Sequence, residues 1–322
     1  MNILEINNLK TQLATDRGIV TAVDNVNLHL NKGEILGLVG ESGCGKSMTA
    51  MSIMQLLPKK QSKIEGEILF EGKNLLKMNE KELNEIRGNK IAMIFQDVMT
   101  SLNPLMTIGQ QIMEPLMIHK GMNKAEARQE AINLLDAVGI PMPQKRVDEY
   151  PNSLSGGMRQ RVMIAIALSC TPQILIADEP TTALDVTIQA QILELMKNIR
   201  EKYGTSIIMI SHDLGVISEM CDRAAIMYCG NIVEEGSIEQ IFTNPTHPYT
   251  RGLLKSIPVL DKKVDELYSI PGVVPPLYNL PCGCKFADRC DRMCDDCTKA
   301  LPELREIEDG HYVRCIGGKE NE

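Results

Sequence analysis

Hydrophobic and polar residues alternate along residues 3–13 and again along 20–30. This is the period-two pattern of half-buried strands, and it predicts an antiparallel β layer at the start of the chain. Residues 34–39 are a short apolar run that reads as a buried strand, and 47–57 read as a helix. Further strands are expected at 66–70 and 91–95. From Pro104 to Pro151 the β pattern stops. Asn123-Lys124-Ala125-Glu126 resembles a capping box, and Ala127, Ala131, Leu134, Leu135 and Val138 follow at helical spacing. A helical subdomain, from residue 101 to about residue 165, is therefore expected inside an α/β core. Two apolar strands follow, at 174–177 and 206–210, separated by a helix at 188–202. Residues 224–228 and 232–235, joined by Cys229-Gly230-Asn231, predict a hairpin. Asn244 to Pro248 punctuates the end of this core. The domains expected are thus 1–250, then 251–322, a linker with Pro271, Pro275, Pro276 and Pro281 that leads into a small cysteine-rich extension.

The turn between the third strand and its helix carries chemistry. Residues 40–47 read Gly-Glu-Ser-Gly-Cys-Gly-Lys-Ser, the pattern G-x-x-x-x-G-K-[ST] of a phosphate loop. A triphosphate needs several backbone N–H groups aimed at it, and glycines let the backbone curl that closely. Lys46 can then reach the β- and γ-phosphates, and the Ser47 hydroxyl can ligate Mg²⁺. The helix that follows adds its dipole to the anion site. The loop residues expected at the nucleotide are Gly40, Ser42, Gly43, Cys44, Gly45, Lys46, Ser47 and Met48.

Composition narrows the classes of partner. The 322 residues carry a net charge of −8, and aromatics make up 3% with no Trp, so neither global charge nor base-stacking surfaces favour a nucleic-acid partner. No apolar run approaches the ~18 residues of a membrane span. The opening Met1-Asn2-Ile3-Leu4-Glu5 has neither the basic nor the apolar region of a signal peptide. The expectation is a cytoplasmic chain. Six of the ten cysteines fall between Cys282 and Cys315, which in a reducing compartment argues for metal before disulfides.

Two further motifs complete a pattern. Ile174-Leu175-Ile176-Ala177-Asp178-Glu179 is an apolar strand ending in paired acids: one can hold Mg²⁺ through water while its neighbour polarises an attacking water. Leu154-Ser155-Gly156-Gly157-Met158-Arg159-Gln160-Arg161 places a serine and two glycines at the opening of a helical run, a second anion-binding N-terminus. Alone, it reads as an ordinary serine cap. The octet resembles the signature motif of ATP-binding cassette (ABC) ATPases, and it stands between the phosphate loop and the acidic strand, as in that family.

The resemblance covers residues 1 to about 250. It implies an ABC ATPase core in which Gln96 is the Q-loop glutamine that senses Mg²⁺, Ala183-Leu184-Asp185 the D-loop and His212 the switch histidine. Glu179 is the general base, and Mg²⁺ is held by Ser47, Gln96 and Asp178. ATP is the implied nucleotide. The family stacks an aromatic on adenine from the segment before the phosphate loop, and no Phe, Tyr or Trp precedes Phe70. Arg17 falls near that place, where a guanidinium can stack on the base. The family mechanism pairs two cassettes, so Ser155, Gly156 and Gly157 would meet ATP bound by a partner chain.

Three stretches resemble the oligopeptide/dipeptide/nickel importer branch of that family. They are Phe95-Gln96-Asp97-Val98-Met99-Thr100-Ser101-Leu102-Asn103-Pro104, Asn244-Pro245-Thr246-His247-Pro248-Tyr249-Thr250-Arg251-Gly252-Leu253-Leu254, and the cysteine-rich tail beginning Gly283-Cys284-Lys285-Phe286-Ala287-Asp288-Arg289-Cys290. The branch implies a second ABC ATPase subunit, two transmembrane permeases and an extracellular substrate-binding protein. The chain would sit peripherally on the cytoplasmic face of the membrane and drive import of di- or oligopeptides, with nickel or a chelated metal as the alternative cargo. A soluble ABC ATPase of translation or DNA repair is a distant alternative, since one phosphate loop and no long heptad run are present. Cys284, Cys290, Cys297 and Cys315 match the spacing at which some branch members hold a [4Fe–4S] cluster. Zn²⁺ is the other candidate for these thiolates, and Cys282 and Cys294 are extra.

Overall fold

The computed structural model describes residues 1–97, 101–182, 184–257 and 268–317. The chain divides into two compact units. One comprises Met1, Asn31–Glu34 and Lys77–Ile210; the other comprises Asn2–Leu30, Ile35–Leu76 and Ser211–Glu322.

In the second unit, long strands β1 (Asn2–Thr15) and β2 (Gly18–Asn31) alternate buried and open positions, as their sequence dictates. They form one sheet in the order β2-β1-β4-β5 with β4 (Ser62–Phe70) and β5 (Lys73–Asn74), and β4 runs antiparallel to β1. Strand β3 (Ile35–Val39) is buried along its whole length and leads to helix α1 (Lys46–Ile53). The helix ends four residues earlier than its sequence predicts, because Gln55 turns to φ 49°. Later in the chain, β9 (Arg223–Tyr228) pairs in parallel with β3, and β10 (Asn231–Ser237) returns antiparallel to β9 as the expected hairpin. Two short tail strands, β11 (Arg305–Glu308) and β12 (His311–Val313), extend this array to the order β11-β12-β10-β9-β3. Helices α8 (Leu214–Met220), α9 (Ile238–Thr243) and α10 (Pro248–Lys255) complete the unit.

The first unit is built on parallel strands β6 (Ile91–Ile94), β7 (Ile174–Asp178) and β8 (Ser206–Ser211), all buried. Parallel strands are covered on both faces, so near-continuous apolar runs are the pattern they require. Helix α2 (Glu80–Ile86) precedes β6, and between β6 and β7 come α3 (Ile108–Lys120), α4 (Lys124–Ala137), α5 (Pro143–Arg146) and α6 (Gly156–Leu168). This is the expected inserted helical segment. Asn123 and Glu126 form the capping box of α4, and Ala127, Ala131 and Leu135 are its buried stripe. Both α3 and α4 pack on α6. Helix α7 (Val186–Tyr203) buries Ile192, Met196 and Ile199 and stops at Gly204, φ 65°.

Candidate functional site

In the unit that holds residues 35–76, β3 delivers the chain to Gly40 and the backbone then coils back on itself. Gly45 has φ 111°, and a Cβ there would lie 2.5 Å from the Ala22 carbonyl oxygen. Only glycine fits. Lys46 is buried, and its Nζ donates to the carbonyls of Gly40 at 2.7 Å and Glu41 at 3.2 Å, spanning the loop. The Thr49 hydroxyl ties the first turn of α1 to Gly45. Ser42 and Gly43 are exposed, and Ser47 and Met48 are half-buried. Cys44 is buried, and burial pushes its thiol up from the ordinary range, so it stays protonated and inert. Arg17 is exposed at the β1–β2 turn, 5.2 Å from the ring centre of Tyr278. That aromatic comes from the proline-rich segment, far beyond the stretch where sequence reasoning sought one.

In the other unit, β7 ends at Asp178, which is 2% exposed. Glu179 follows with φ 49°, its N–H donating to the Ile210 carbonyl at 2.9 Å. Its carboxylate accepts from Gln96 Nε2 and from the Thr182 hydroxyl, each at 2.9 Å. A left-handed acid after a buried strand is a strained arrangement that the contacts around it hold in place. Gln160, buried in α6, donates to the Pro180 carbonyl at 2.7 Å and pins the same turn. Ser155 caps α6 by accepting from the Met158 N–H, and Gly156 is open to its surroundings. A Cβ on Gly157 would press on Ile188 of α7 at 3.2 Å. Asp185 caps α7 through the Ile188 N–H at 2.9 Å. Ala183 lies outside the described residues, as do Val98, Met99 and Thr100 of the Q-loop stretch. His212 belongs to the unit that holds Ser211–Glu322, where it is exposed beside Ser211, whose hydroxyl accepts from the Asp213 N–H.

The tail is anchored in ways its composition does not signal. Lys285 Nζ reaches Asp24 at 3.1 Å, and Arg289 pairs with Glu41 of the phosphate loop at 2.7 Å. Glu234 and His311, both fully buried, meet at 2.9 Å. The expected tail metal centre finds no support. Burial raises the thiol pKa of Cys284, Cys290, Cys297 and Cys315, that of Cys290 to about 11. Cys297 Sγ lies 3.3 Å from Cys294 Sγ, outside the expected set. Among the described residues, no group of three or more His, Cys, Asp or Glu side chains is arranged to hold a metal ion.

Residues 23–182 match the ABC transporter family, and residues 233–297 match the C-terminal region of oligopeptide/dipeptide transporters. The chain is 54% identical over 315 residues to the oligopeptide transport ATP-binding protein AppD of Bacillus subtilis (strain 168), covering 98% of this chain and 96% of that one. It belongs to the ATP-binding subunits of ABC transporters, in their oligopeptide/dipeptide branch. This ABC ATPase is also 50% identical over 314 residues to the oligopeptide transport ATP-binding protein OppD of Salmonella typhimurium, covering 98% and 93% of the two chains. Its fold is similar to that of a dimeric ATP-binding cassette in a post-hydrolysis state bound to ADP and Pi. The identity there is 31% and the TM-score 0.66, over 73% of this chain and 98% of that one. Among the described residues of this ABC ATPase, no helix is long and apolar enough to cross a membrane.

Proposed function

We propose that this ABC ATPase is the energy-coupling subunit of an importer for di- or oligopeptides, working from the cytoplasmic face of the membrane. The observation that carries this reading is the near full-length identity to relatives named for oligopeptide transport, together with the match of residues 233–297. Peptide stands ahead of nickel because those relatives are named for peptide.

In this reading Glu179 is the general base. It accepts a proton from water as the water oxygen attacks the γ-phosphorus; the bond from that phosphorus to the β–γ bridging oxygen breaks, and ADP and inorganic phosphate leave. Gln96 and Thr182 hold the carboxylate in one orientation, which supports that role. Lys46 and the loop residues Gly40, Ser42, Gly43, Cys44, Gly45, Ser47 and Met48 gather the phosphates, with Arg17 against the base. His212 meets the γ-phosphate. Mg²⁺, taken by Ser47, Gln96 and Asp178, would neutralise charge on the phosphate oxygens. Ser155, Gly156, Gly157 and Asp185 would serve the nucleotide held by a second ATPase subunit. Two permeases and an extracellular substrate-binding protein complete the machine. Residues 1–250 form its nucleotide-binding domain and 251–322 its extension.

The test is purification of the tagged chain from native membranes in mild detergent, followed by ATPase assay with the co-purifying binding protein. Stimulation of phosphate release by added peptides, and none by chelated nickel, is the expected result. Stimulation by nickel alone, or recovery without any multi-spanning protein, would overturn the reading.

A further inference from the structure

The phosphate loop carries an acid of its own. Glu41 directly follows Gly40, and a free carboxylate works against a loop that must gather a polyanion. The tail cancels that charge. Arg289 Nη1 donates to Glu41 Oε2 at 2.7 Å and Nη2 to Oε1 at 3.1 Å, a two-pronged match of guanidinium to carboxylate. The Arg289 side chain is 5% exposed and that of Glu41 30%. Arg289 is itself fixed on every side: Nε donates to the Pro271 carbonyl at 3.0 Å and Nη1 to the Tyr228 hydroxyl at 3.3 Å. Its guanidinium carbon lies 5.8 Å from the ring centres of Tyr228 and Phe286. The hydrogen bonds to Glu41 hold the guanidinium pKa above its ordinary value.

A second hold acts on the backbone of the same residue. The Glu41 N–H donates to the Tyr249 hydroxyl at 2.9 Å. Tyr249 is buried, and burial together with the nearby Glu41 charge keeps its hydroxyl protonated. The rings of Tyr228, Tyr249 and Phe286 pack on one another with centres 4.7 to 5.4 Å apart, so both grips share one rigid mount.

We propose that Arg289 is a positioning residue for the nucleotide site: by neutralising Glu41 and fixing the outer edge of the phosphate loop, the C-terminal tail sets the affinity for ATP. The inference rests on the reading of residues 40–47 as the nucleotide site. A pair that merely docked the tail would leave nucleotide affinity unmoved.

Charge rescue separates the two. In the assembled complex, Arg289→Gln is expected to raise KM for ATP by roughly threefold to tenfold, the scale of one added unit charge near a partly buried phosphate site. The kcat at saturating ATP should stay within about twofold, because the acid at Glu179 is untouched. Adding Glu41→Gln to Arg289→Gln removes the uncompensated carboxylate and should return KM to within about twofold of wild type. Arg289→Lys, which keeps the charge and loses the fork, should fall between the two. An unchanged KM in Arg289→Gln, or a raised KM that Glu41→Gln does not lower, overturns the proposal. If Arg289→Gln does not fold, the double variant and Arg289→Lys carry the same comparison. Lys46→Ala guards the underlying reading: if it binds ATP like wild type, residues 40–47 are not the site. If it loses binding while KM is indifferent to Arg289, only the tail inference falls.

Discussion

The side-chain amide of Gln96 donates to the Glu179 carboxylate at 2.9 Å, across 83 residues of sequence. The contact follows from the sheet. Strands β6 and β7 pair in parallel with Ile94 opposite Ala177, so the residues just beyond both strands emerge at the same edge. Functional groups of open α/β sheets gather at that carboxyl edge. Glu179→Gln keeps the shape of the side chain and an oxygen that can accept from Gln96, and removes the negative charge and with it the ability to take a proton. Phosphate release in the assembled complex is expected to fall by about 10²–10⁴-fold while ATP binding persists. Turnover at the wild-type rate would exclude Glu179 as the base.

Gly45 supplies a test that needs no assumption about catalysis. Its φ of 111° is strained for any other residue, and an added Cβ meets the Ala22 carbonyl oxygen at 2.5 Å, a backbone atom that cannot step aside. Gly45→Ala should cost on the order of 1–3 kcal/mol of stability. It should also weaken nucleotide binding at least tenfold, because the loop must open to admit the methyl group. Thermal melting and titration with ATP read both effects. A variant that melts and binds like wild type would mean the loop is not held in this conformation.

The phosphate loop and the acidic strand were legible because their chemistry is written in contiguous residues. The parallel strands were legible as apolar runs, and α4 from its capping box and stripe. What escaped depends on distance along the chain. Glu41 and Arg289 lie 248 residues apart, and nothing in either local pattern signals the other. Strands β11 and β12 escaped for a different reason: they are four and three residues long, and β11 is exposed throughout. Period-two alternation has no room to register in such segments. The four-cysteine reading rested on spacing alone and finds no support among the described residues, where Cys297 Sγ lies 3.3 Å from Cys294 Sγ, three residues away.

His311 joins the tail to the core at a costly place. Its Nε2 lies 2.9 Å from the Glu234 carboxylate, with both side chains fully buried. The same carboxylate accepts from the N–H groups of Thr246 and His247. Burial alone would raise the Glu234 pKa, but these hydrogen bonds, led by His311, outweigh it and hold the acid below its ordinary range. His311→Ala should destabilise the protein by on the order of 1.5–3 kcal/mol, the worth of a hydrogen bond to a buried charged group. Pairing it with Glu234→Gln should recover part of that loss, since the amide carries no charge to leave stranded. Urea unfolding of the single and double variants provides the comparison, and strict additivity would show that the two side chains do not act together.

His247 makes stability depend on acidity. It is buried in the turn before α10, where its Nδ1 accepts from the Tyr249 N–H at 3.1 Å and so caps the helix in the neutral form. Burial, with Arg314 adding and Glu234 opposing, lowers its pKa to about 4. The Phe286 ring, 5.8 Å away between centres, offers the imidazolium no hydrogen bond. In the unfolded chain the same imidazole titrates near its ordinary value of about 6.5. Between those two values the unfolded state holds a proton that the folded state does not, so stability rises with pH through the window. It is fully present above about pH 6.5 and declines toward pH 4, by up to about 1.4 kcal/mol per pH unit from this group. His247→Asn keeps a side-chain acceptor for the cap and removes the titration. Its unfolding midpoint should therefore fall less steeply than that of wild type between pH 6.5 and 4.5. Parallel profiles for the two proteins would mean that His247 gains its proton in the folded state as easily as in the unfolded one.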